Sequence, residues 1–361
     1  MTPSRPALRA WHISAAATAL WLVIMLAGSH WSRVVDHWES AATMLFGSFL
    51  AGSSPEGGGA VAFPVFTKGL HVSGAVARTF GLSIQAIGMT VAAGAILVSR
   101  RPIHVRAAVI GSIAGIAGFL AGMVVLTDHD VVFWPSTVPT PWVKATFSIV
   151  LATTSLMMVR HLRHGDSPHP PTDWTRRHDV GLVLAALCGG VLATMTGTGT
   201  NIVLFLFLVL LADISPKNAL PTVVVIMAAV SVVGMVLLGV VDGQLSVAVT
   251  GDRVVEVGAS SVDLRADRND LFGLWFAAVP VVVWGAPLGS LVASRVRETQ
   301  LVAFVALLAG VEVLTTVLLV QELRSEGPLI AYLVGGLVVL PTALLTLRAN
   351  RYRIFAATPL D

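Results

Sequence analysis

Charge is what this chain has least of. Asp, Glu, Lys and Arg make up 12% of its 361 residues, where a soluble protein carries about 25%. Cysteine is nearly absent as well. Cys188 stands alone, which excludes an intramolecular disulfide and leaves a redox or metal role without partners; it reads as a small packing residue. The ten histidines fall in loops and at segment ends, so haem ligation and an intramembrane metal site lack their ligands. No HExxH and no GxxxxGK[ST] occurs, which removes the main support for a metalloprotease or a P-loop ATPase. No cofactor and no metal is implied.

What fills the space is apolar. Hydrophobic residues make up 55% and mean hydropathy is +0.82, and several runs exceed the ~20 residues that cross a bilayer. The chain reads as an all-α integral membrane protein whose first partner is the lipid bilayer. A net charge of +3 and a pI near 9.5 need no nucleic acid to explain them, because cytoplasmic loops of membrane proteins are enriched in Lys and Arg.

Two of the apolar runs are broken. Ser53-Ser54-Pro55-Glu56-Gly57-Gly58-Gly59 interrupts the run from about Ala41 to Phe66. Consecutive glycines are poor helix interior, and Pro55 lacks an N–H and biases Ser54 away from the helical region. Thr194-Met195-Thr196-Gly197-Thr198-Gly199-Thr200-Asn201 does the same between Val180 and Leu211. Shifted by about 142 positions the two neighbourhoods align: Phe49-Leu50-Ala51 with Val191-Leu192-Ala193, Gly57 with Gly199, Val61 with Val203, Phe63 with Phe205. Non-helical backbone at membrane depth must meet protein or water rather than lipid. A broken segment present in both halves points to a carrier's binding site.

Residues 1–40 carry Arg5 and Arg9 ahead of an apolar segment from Trp11 to Gly28. Its tryptophans and the want of a small-x-small cleavage site favour a retained helix over a signal peptide. Residues 41–160 form a first repeat, with unbroken spans near 74–98, 105–126 and 142–159. The stretch 161–179, with Pro168-His169-Pro170-Pro171, reads as a solvated cytoplasmic linker. Residues 180–321 form a second repeat, with spans near 219–241, 271–294 and 299–320. Within it, Asp242–Asp270 is a polar insertion. Leu245, Val247 and Val249, a turn at Thr250-Gly251-Asp252, then Val255 and Val257 fit either a small β-hairpin or a disordered loop. Residues 322–361 add a last span, near 328–347, and a basic tail.

Arginine bias sets the topology. Arg100, Arg101 and Arg106, then Arg160 to Arg177, then Arg295 and Arg297, then the C-terminal arginines mark cytoplasmic loops, while the arginine-poor 242–270 insertion reads as periplasmic. With the N-terminus inside, the 74–98 span accounts for the one return crossing before Arg100, so the first broken segment leaves on the side it enters. The second does so on the other side. The expectation is about eight transmembrane helices plus two re-entrant broken-helix hairpins in two inverted-topology repeats, with N- and C-termini cytoplasmic. A broken segment that crosses twice satisfies the same parity.

Phe49-Leu50-Ala51-Gly52, Gly57-Gly58-Gly59 and Val61-Ala62-Phe63-Pro64-Val65 resemble the FxAGxxGxGGG…P pattern that opens each repeat of the sulfite exporter TauE/SafE family, the TSUP permeases. Val76-Ala77-Arg78-Thr79, the Gly-rich span from Gly111 to Gly122, Gly190-Val191-Leu192 and Gly197-Thr198-Gly199 extend the likeness over about Ala41 to Val320. Ser54-Pro55-Glu56-Gly57-Gly58-Gly59 replaces the usual Gly-Ile-Gly-Gly-Gly, and Thr200-Asn201 replaces glycines. The resemblance implies a secondary transporter of the bacterial inner membrane. Its cargo would be small sulfur oxyanions, sulfite and sulfonates among them, or organic acids, moved by alternating access. An anion channel and an intramembrane enzyme are the alternatives, the enzyme lacking a Ser–His or metal constellation. Whether the chain forms a homo-oligomer stays open.

Half-helices starting at Gly59 and Asn201 would aim N-termini and free N–H groups at mid-membrane, which favours an anion. Close helix packing is the other use of such glycines. The substrate-binding candidates are Ser53, Ser54, Gly57, Gly58, Gly59 and Gln85 from the first half, and Thr196, Gly197, Thr198, Gly199, Thr200 and Asn201 from the second. Their hydroxyls suit helix caps equally, and Gln85 suits an inter-helix bond. Arg78 reads as a helix-end anchor and Lys68 as interfacial. Glu56 and Glu312 are intramembrane acids, which default to a functional role, and both are candidates for coupling transport to protons. Ionised Glu56 would oppose an anion unless it is protonated, or turned away to cap a half-helix.

Overall fold

The computed structural model describes residues 5–129, 136–164, 174–245, 254–257, 260–263, 269–320 and 322–355. In chain order its helices are α1 (Arg5–Gly28), α2 (Trp31–Asp36), α3 (Trp38–Ser53), α4 (Gly59–Pro64), α5 (Gly74–Val98), α6 (Val105–Leu126) and α7 (Thr140–His164). Then come α8 (Arg176–Thr196), α9 (Thr200–Leu206), α10 (Pro216–Gly234), α11 (Leu271–Ala293), α12 (Glu298–Leu319), α13 (Glu322–Ser325), α14 (Gly327–Ala349) and α15 (Arg351–Phe355). Helices α4, α9 and α10 each run on into a π-helical turn, Val65–Gly69, Phe207–Leu211 and Met235–Val241.

The protein is an all-α integral membrane protein. Eight helices are long and apolar enough to cross a bilayer, and their outward faces are apolar: Val124 and Val125 on α6 are 70% and 72% exposed, as residues that face lipid tails should be. Those eight, counted among the described residues, take in Arg176–Thr196 and leave out the expected 299–320 span, which is present as α12 (Glu298–Leu319). Arg176–Thr196, expected as one limb of a hairpin, is by itself 21 residues long, about 31 Å at the helical rise. Its first turn is polar, which places part of that length outside the apolar core.

Among the described residues, the two strands lie in the polar insertion. Strands β1 (Val254–Val257) and β2 (Ser260–Asp263) pair antiparallel, Val257 facing Ser260. The Val-Val-Glu-Val stretch, with the expected Val255 and Val257, thus pairs with Ser-Ser-Val-Asp on its C-terminal side, while Val247 and Val249 of the expected first strand lie outside the described residues. The Thr250-Gly251-Asp252 turn and the Pro168–Pro171 run lie outside the described residues.

The order of elements recurs, and so does the backbone in detail. The π-helical turns Val65–Gly69 and Phe207–Leu211 are 142 positions apart, as the difference of 207 and 65 shows. Each closes with matching bonds: Leu70 N to Val65 O and Val72 N to Phe66 O in one, Ala212 N to Phe207 O and Ile214 N to Leu208 O in the other. The residues between are His71 (φ 54°) and Asp213 (φ 50°). A left-handed residue that lets the next amide reach back six positions is a standard way to satisfy terminal helix carbonyls. Using His and Asp where glycine is cheaper costs about 1 kcal/mol each. Ser73 and Ser215 then precede α5 and α10.

Contacts recur in the same manner. Helix α3 packs along α11 as α8 packs along α6, and α5 packs on both α10 and α11 while α10 packs on α6. Small residues permit the closest crossings: a Cβ on Gly52 would run into the Ala286 carbonyl of α11, and one on Gly190 into the Gly115 carbonyl of α6.

Hydrogen bonds fix which ends lie together. At one end Arg101 donates to Ser290 O and Arg106 pairs with Asp179. There α15 holds both ends of the second broken segment: Thr175 donates to Phe355 O, Arg177 to Ile354 O, and Arg351 pairs with Asp213. The opposite end of α11 gathers both ends of the first broken segment, through His37 with Asp270 and Ser73 N with Asn269 Oδ1. Helix α11 is 23 residues long, about 35 Å, so these are opposite ends of the bundle, and the arginine-rich loops share one of them.

Candidate functional site

The two breaks meet inside the bundle, against α5. Positions Arg78, Gly81, Gln85 and Met89 recur at helical spacing, so they form one face of that helix. The face carries the second break. A Cβ on Gly81 would lie 3.6 Å from Gly197 O, Gln85 Nε2 donates to the same Gly197 O at 2.9 Å, and Gly197 sits so close to the Arg78 carbonyl that a Cβ there would run into it. Gly197 also has φ 74° and caps α8, so both conformation and space demand glycine.

The second break supports itself. Thr196 Oγ1 donates to Thr198 O at 2.5 Å and lies 3.1 Å from Leu192 O. Thr200 Oγ1 reaches back to Gly189 O at 3.1 Å, and Asn201 Oδ1 accepts from Gly199 N at 3.3 Å. Thr196 and Thr200 thus spend their hydroxyl protons on carbonyls of their own segment, and no side chain caps the start of α9 at Gly199. Helix α9 starts at Thr200, one position before the expected Asn201. Its amide is what sets Asn201 apart: Nδ2 is buried with no hydrogen-bond partner.

The first break is less satisfied. Ser54 Oγ donates back to Leu50 O at 3.1 Å, which makes it a cap. Ser53 Oγ and both carboxylate oxygens of Glu56 are buried without hydrogen-bond partners, and Glu56 is 0% exposed. Glu56 is therefore neither in water nor capping a half-helix. Gly57 has φ 72°, and a Cβ there would lie 2.9 Å from Asn201 Nδ2 and 3.0 Å from Gln85 Oε1: the bare glycine opens the space between the two breaks. Gly59 faces Thr198: a Cβ on Gly59 would come within 2.8 Å of the Thr198 Cβ. Gly58 does not face the space. Its Cβ would point to Gly47 O at 3.0 Å and to Met44 on α3, so this glycine serves packing.

One contact joins the breaks directly. Thr198 Oγ1 lies 3.4 Å from Glu56 O and 3.5 Å from both Gln85 Oε1 and Asn201 Oδ1. Thr198 and Glu56 are 142 positions apart, the same shift that relates the two backbones, so equivalent positions of the two halves touch here.

Lys68, expected to be interfacial, is instead buried beside Glu312 of α12. They form a buried ion pair at 2.7 Å, with side chains 5% and 3% exposed. Thr316 (3.2 Å) and Ser148 (3.3 Å) donate to the same carboxylate oxygen. With a cation and two hydroxyls satisfied in place, Glu312 reads as a tether of the first broken segment to α7 and α12. Arg78, expected at a helix end, is instead 1% exposed, with Nη1 directed at Thr194 O, 3.5 Å away. Its place four residues inside α5, rather than before it, was the available signal. Thr79 and Ser83, one turn apart on α5 and buried without hydroxyl partners, were missed altogether. Cys188 is exposed on α8 rather than packed. Among the described residues no cluster of His, Cys, Asp and Glu could hold a metal ion.

The arrangement offers an amide donor, a hydroxyl, a buried guanidinium nearby and a carboxyl group, all shielded from solvent around glycine backbone. A family model described as "Sulfite exporter TauE/SafE" matches residues 40–313. No curated protein and no solved structure matches the chain.

Proposed function

The chain belongs to the sulfite exporter TauE/SafE family, and on that premise we propose that it is a secondary transporter that binds a small oxyanion, sulfite or a sulfonate, where the two breaks meet. The observation that carries this reading is the set of buried polar atoms left without partners there: Ser53 Oγ, the Glu56 carboxylate and Asn201 Nδ2. Buried polar groups are normally hydrogen-bonded, and a site that binds and releases a polar ligand is where exceptions belong. Asn201 Nδ2 and Ser53 Oγ would donate to the anion's oxygens, with Arg78 supplying positive charge from α5.

The halves are read as inverted repeats in the membrane, each broken segment re-entering from its own side. Support comes from the backbone recurrence and from the bonds that gather each segment's ends at one end of the bundle. Alternating access then exchanges the conformations of the two halves about the shared contact. Glu56 is the proposed proton carrier: a neutral carboxyl donates to an oxyanion, an ionised one repels it.

The test is flux into proteoliposomes with sulfite, thiosulfate, sulfonates and carboxylates, with and without a pH gradient. Saturable flux of a sulfur oxyanion that falls at least tenfold in Asn201→Ala is the expected result. Flux of none of these anions, or an Asn201→Ala variant with unchanged half-saturation and rate, would overturn the reading.

A further inference from the structure

A cavity of about 360 Å³ lies away from the breaks, between the ends of α3, α5, α10 and α11. Gly52 forms its inner limit, one position before Ser53. Its other walls include Arg101, Lys217, Asn218, Ser290 and Ala293, all from the arginine-rich end of the bundle. Helix α3 itself starts from the opposite end, so the cavity joins the tip of that helix to the end it does not come from.

Its polar wall is cationic and in part built. Arg101 Nη1 donates to Ser290 O at 2.5 Å and lies 3.4 Å from Ser290 Oγ, which holds the guanidinium over the carbonyl end of α11, where a cation is favoured. Arg295 is close enough to act on it electrostatically. Across the cavity Lys217 and Asn218 occupy the first turn of α10, behind Pro216, where the helix dipole adds positive potential. No acidic side chain lines the cavity.

We propose that this cavity is an anion vestibule: Arg101 and Lys217 concentrate small oxyanions at the arginine-rich end, beside the tip of α3. Its use as a transport route rests on the proposed function above; its selectivity for negative charge does not. Clefts lined by one sign of charge raise the local concentration of the opposite sign. The vestibule therefore acts on the rate at which anions reach the breaks and leaves the affinity there to the residues of the breaks.

The experiment uses the purified full-length protein carrying Cys188→Ser and a reporter, Ala293→Cys. Labelling rates are compared for two thiol reagents of similar size, sulfonatoethyl and trimethylammonioethyl methanethiosulfonate. The anionic reagent, itself a small sulfonate, is expected to react faster relative to its rate with a free thiol. Added Lys217→Gln should slow it about threefold, the effect of one charge at ~6 Å in water, and should speed the cationic reagent. Arg101→Lys, which keeps the charge, should leave the ratio near its starting value, and methanesulfonate should protect the reporter more than chloride at equal ionic strength. Equal relative rates for both reagents, or a ratio indifferent to Lys217→Gln, would overturn the proposal. Charge-selective labelling in a protein that moves no oxyanion keeps the vestibule and rejects the transport reading; flux with charge-blind labelling does the reverse.

Discussion

The two broken segments end in the same backbone turn, and their breaks differ both in backbone, with one left-handed glycine in the first and two in the second, and in how their polar atoms are satisfied. In the second, Thr196, Thr200 and Asn201 Oδ1 close bonds within the segment, and Gln85 braces it from α5. In the first, one hydroxyl and one whole carboxylate are buried with nothing to bond. An unmade buried hydrogen bond costs about 1–3 kcal/mol, so the first break holds the larger strain and the larger reason to take up a proton or a ligand. In the proposed site the second break would be the firm wall and the first the responsive one.

The asymmetry extends to the tethers. Lys68 holds Glu312, whereas 142 positions on the equivalent residue is Leu210. The largest effect is therefore expected from Lys68→Met, which strands Glu312 in a dry site at about 3–5 kcal/mol. A melting curve in detergent should show the loss, and Lys68→Met with Glu312→Leu should recover most of it. A double variant as unstable as the single one would mean that the pair is no tether.

Next comes a pair of glycines. Gly197→Ala combines a left-handed φ with collision against the Arg78 carbonyl backbone, and about 2–4 kcal/mol should be lost. Gly57→Ala has the same φ penalty but meets the ends of the Asn201, Gln85 and Met89 side chains rather than backbone, so its stability loss should be about 1–2 kcal/mol while anion flux falls sharply. Equal melting temperatures for the two would erase the distinction between wall and responsive side.

Glu56→Gln keeps size and a hydrogen-bond donor but cannot titrate. Stability should change little, flux down an anion gradient should persist, and the response to an imposed pH gradient should disappear. Wild-type pH-driven accumulation in this variant would remove the proton role from Glu56.

The smallest effect concerns helix caps at the two ends. His104 Nδ1 accepts from Ala107 N at the start of α6, and Asp270 Oδ1 from Gly273 N at the start of α11. Burial lowers the His104 pKa from its ordinary 6.5. Burial raises that of Asp270, but the His37 hydrogen bond, the Gly273 amide and Arg33 outweigh it, so the carboxyl stays below its ordinary range. The His104 cap thus contributes fully above 6.5, the unfolded value, and is lost as pH falls through the lower folded one. From about pH 7 to about pH 5 the protection of the Ala107 amide should drop while that of Gly273 holds; loss at both would show that the acid end is not the steadier one.

Much of this was legible in the sequence because it is local. Glycine runs, Pro55 and the 142-position shift located both breaks and placed the starts of α4 and α9 to within a residue, since backbone preference is written in neighbouring residues. The rest depends on partners far along the chain. Lys68 meets Glu312 across 244 positions, and no pattern near either residue announces the other. Gly58 and Gly57 are adjacent, yet only packing decides that one faces α3 and the other the site. The insertion was ambiguous because its alternating residues support more than one pairing: Val255 and Val257 can pair with the residues before them or, as in β1, with Ser260–Asp263 after them.

The contact between Thr198 and Glu56 has a mechanical meaning. A point where equivalent residues of two related halves touch lies on the line that relates them, and points on that line travel least when the halves trade shapes. In the alternating-access transporter proposed above it would be the fulcrum: the helices on either side would be the long arms, and small changes of tilt there would open a gap at one rim while closing the other. A passenger seated on that fulcrum would not need to be carried anywhere. The walls would move past it, and its direction would be decided by which rim is open when it lets go.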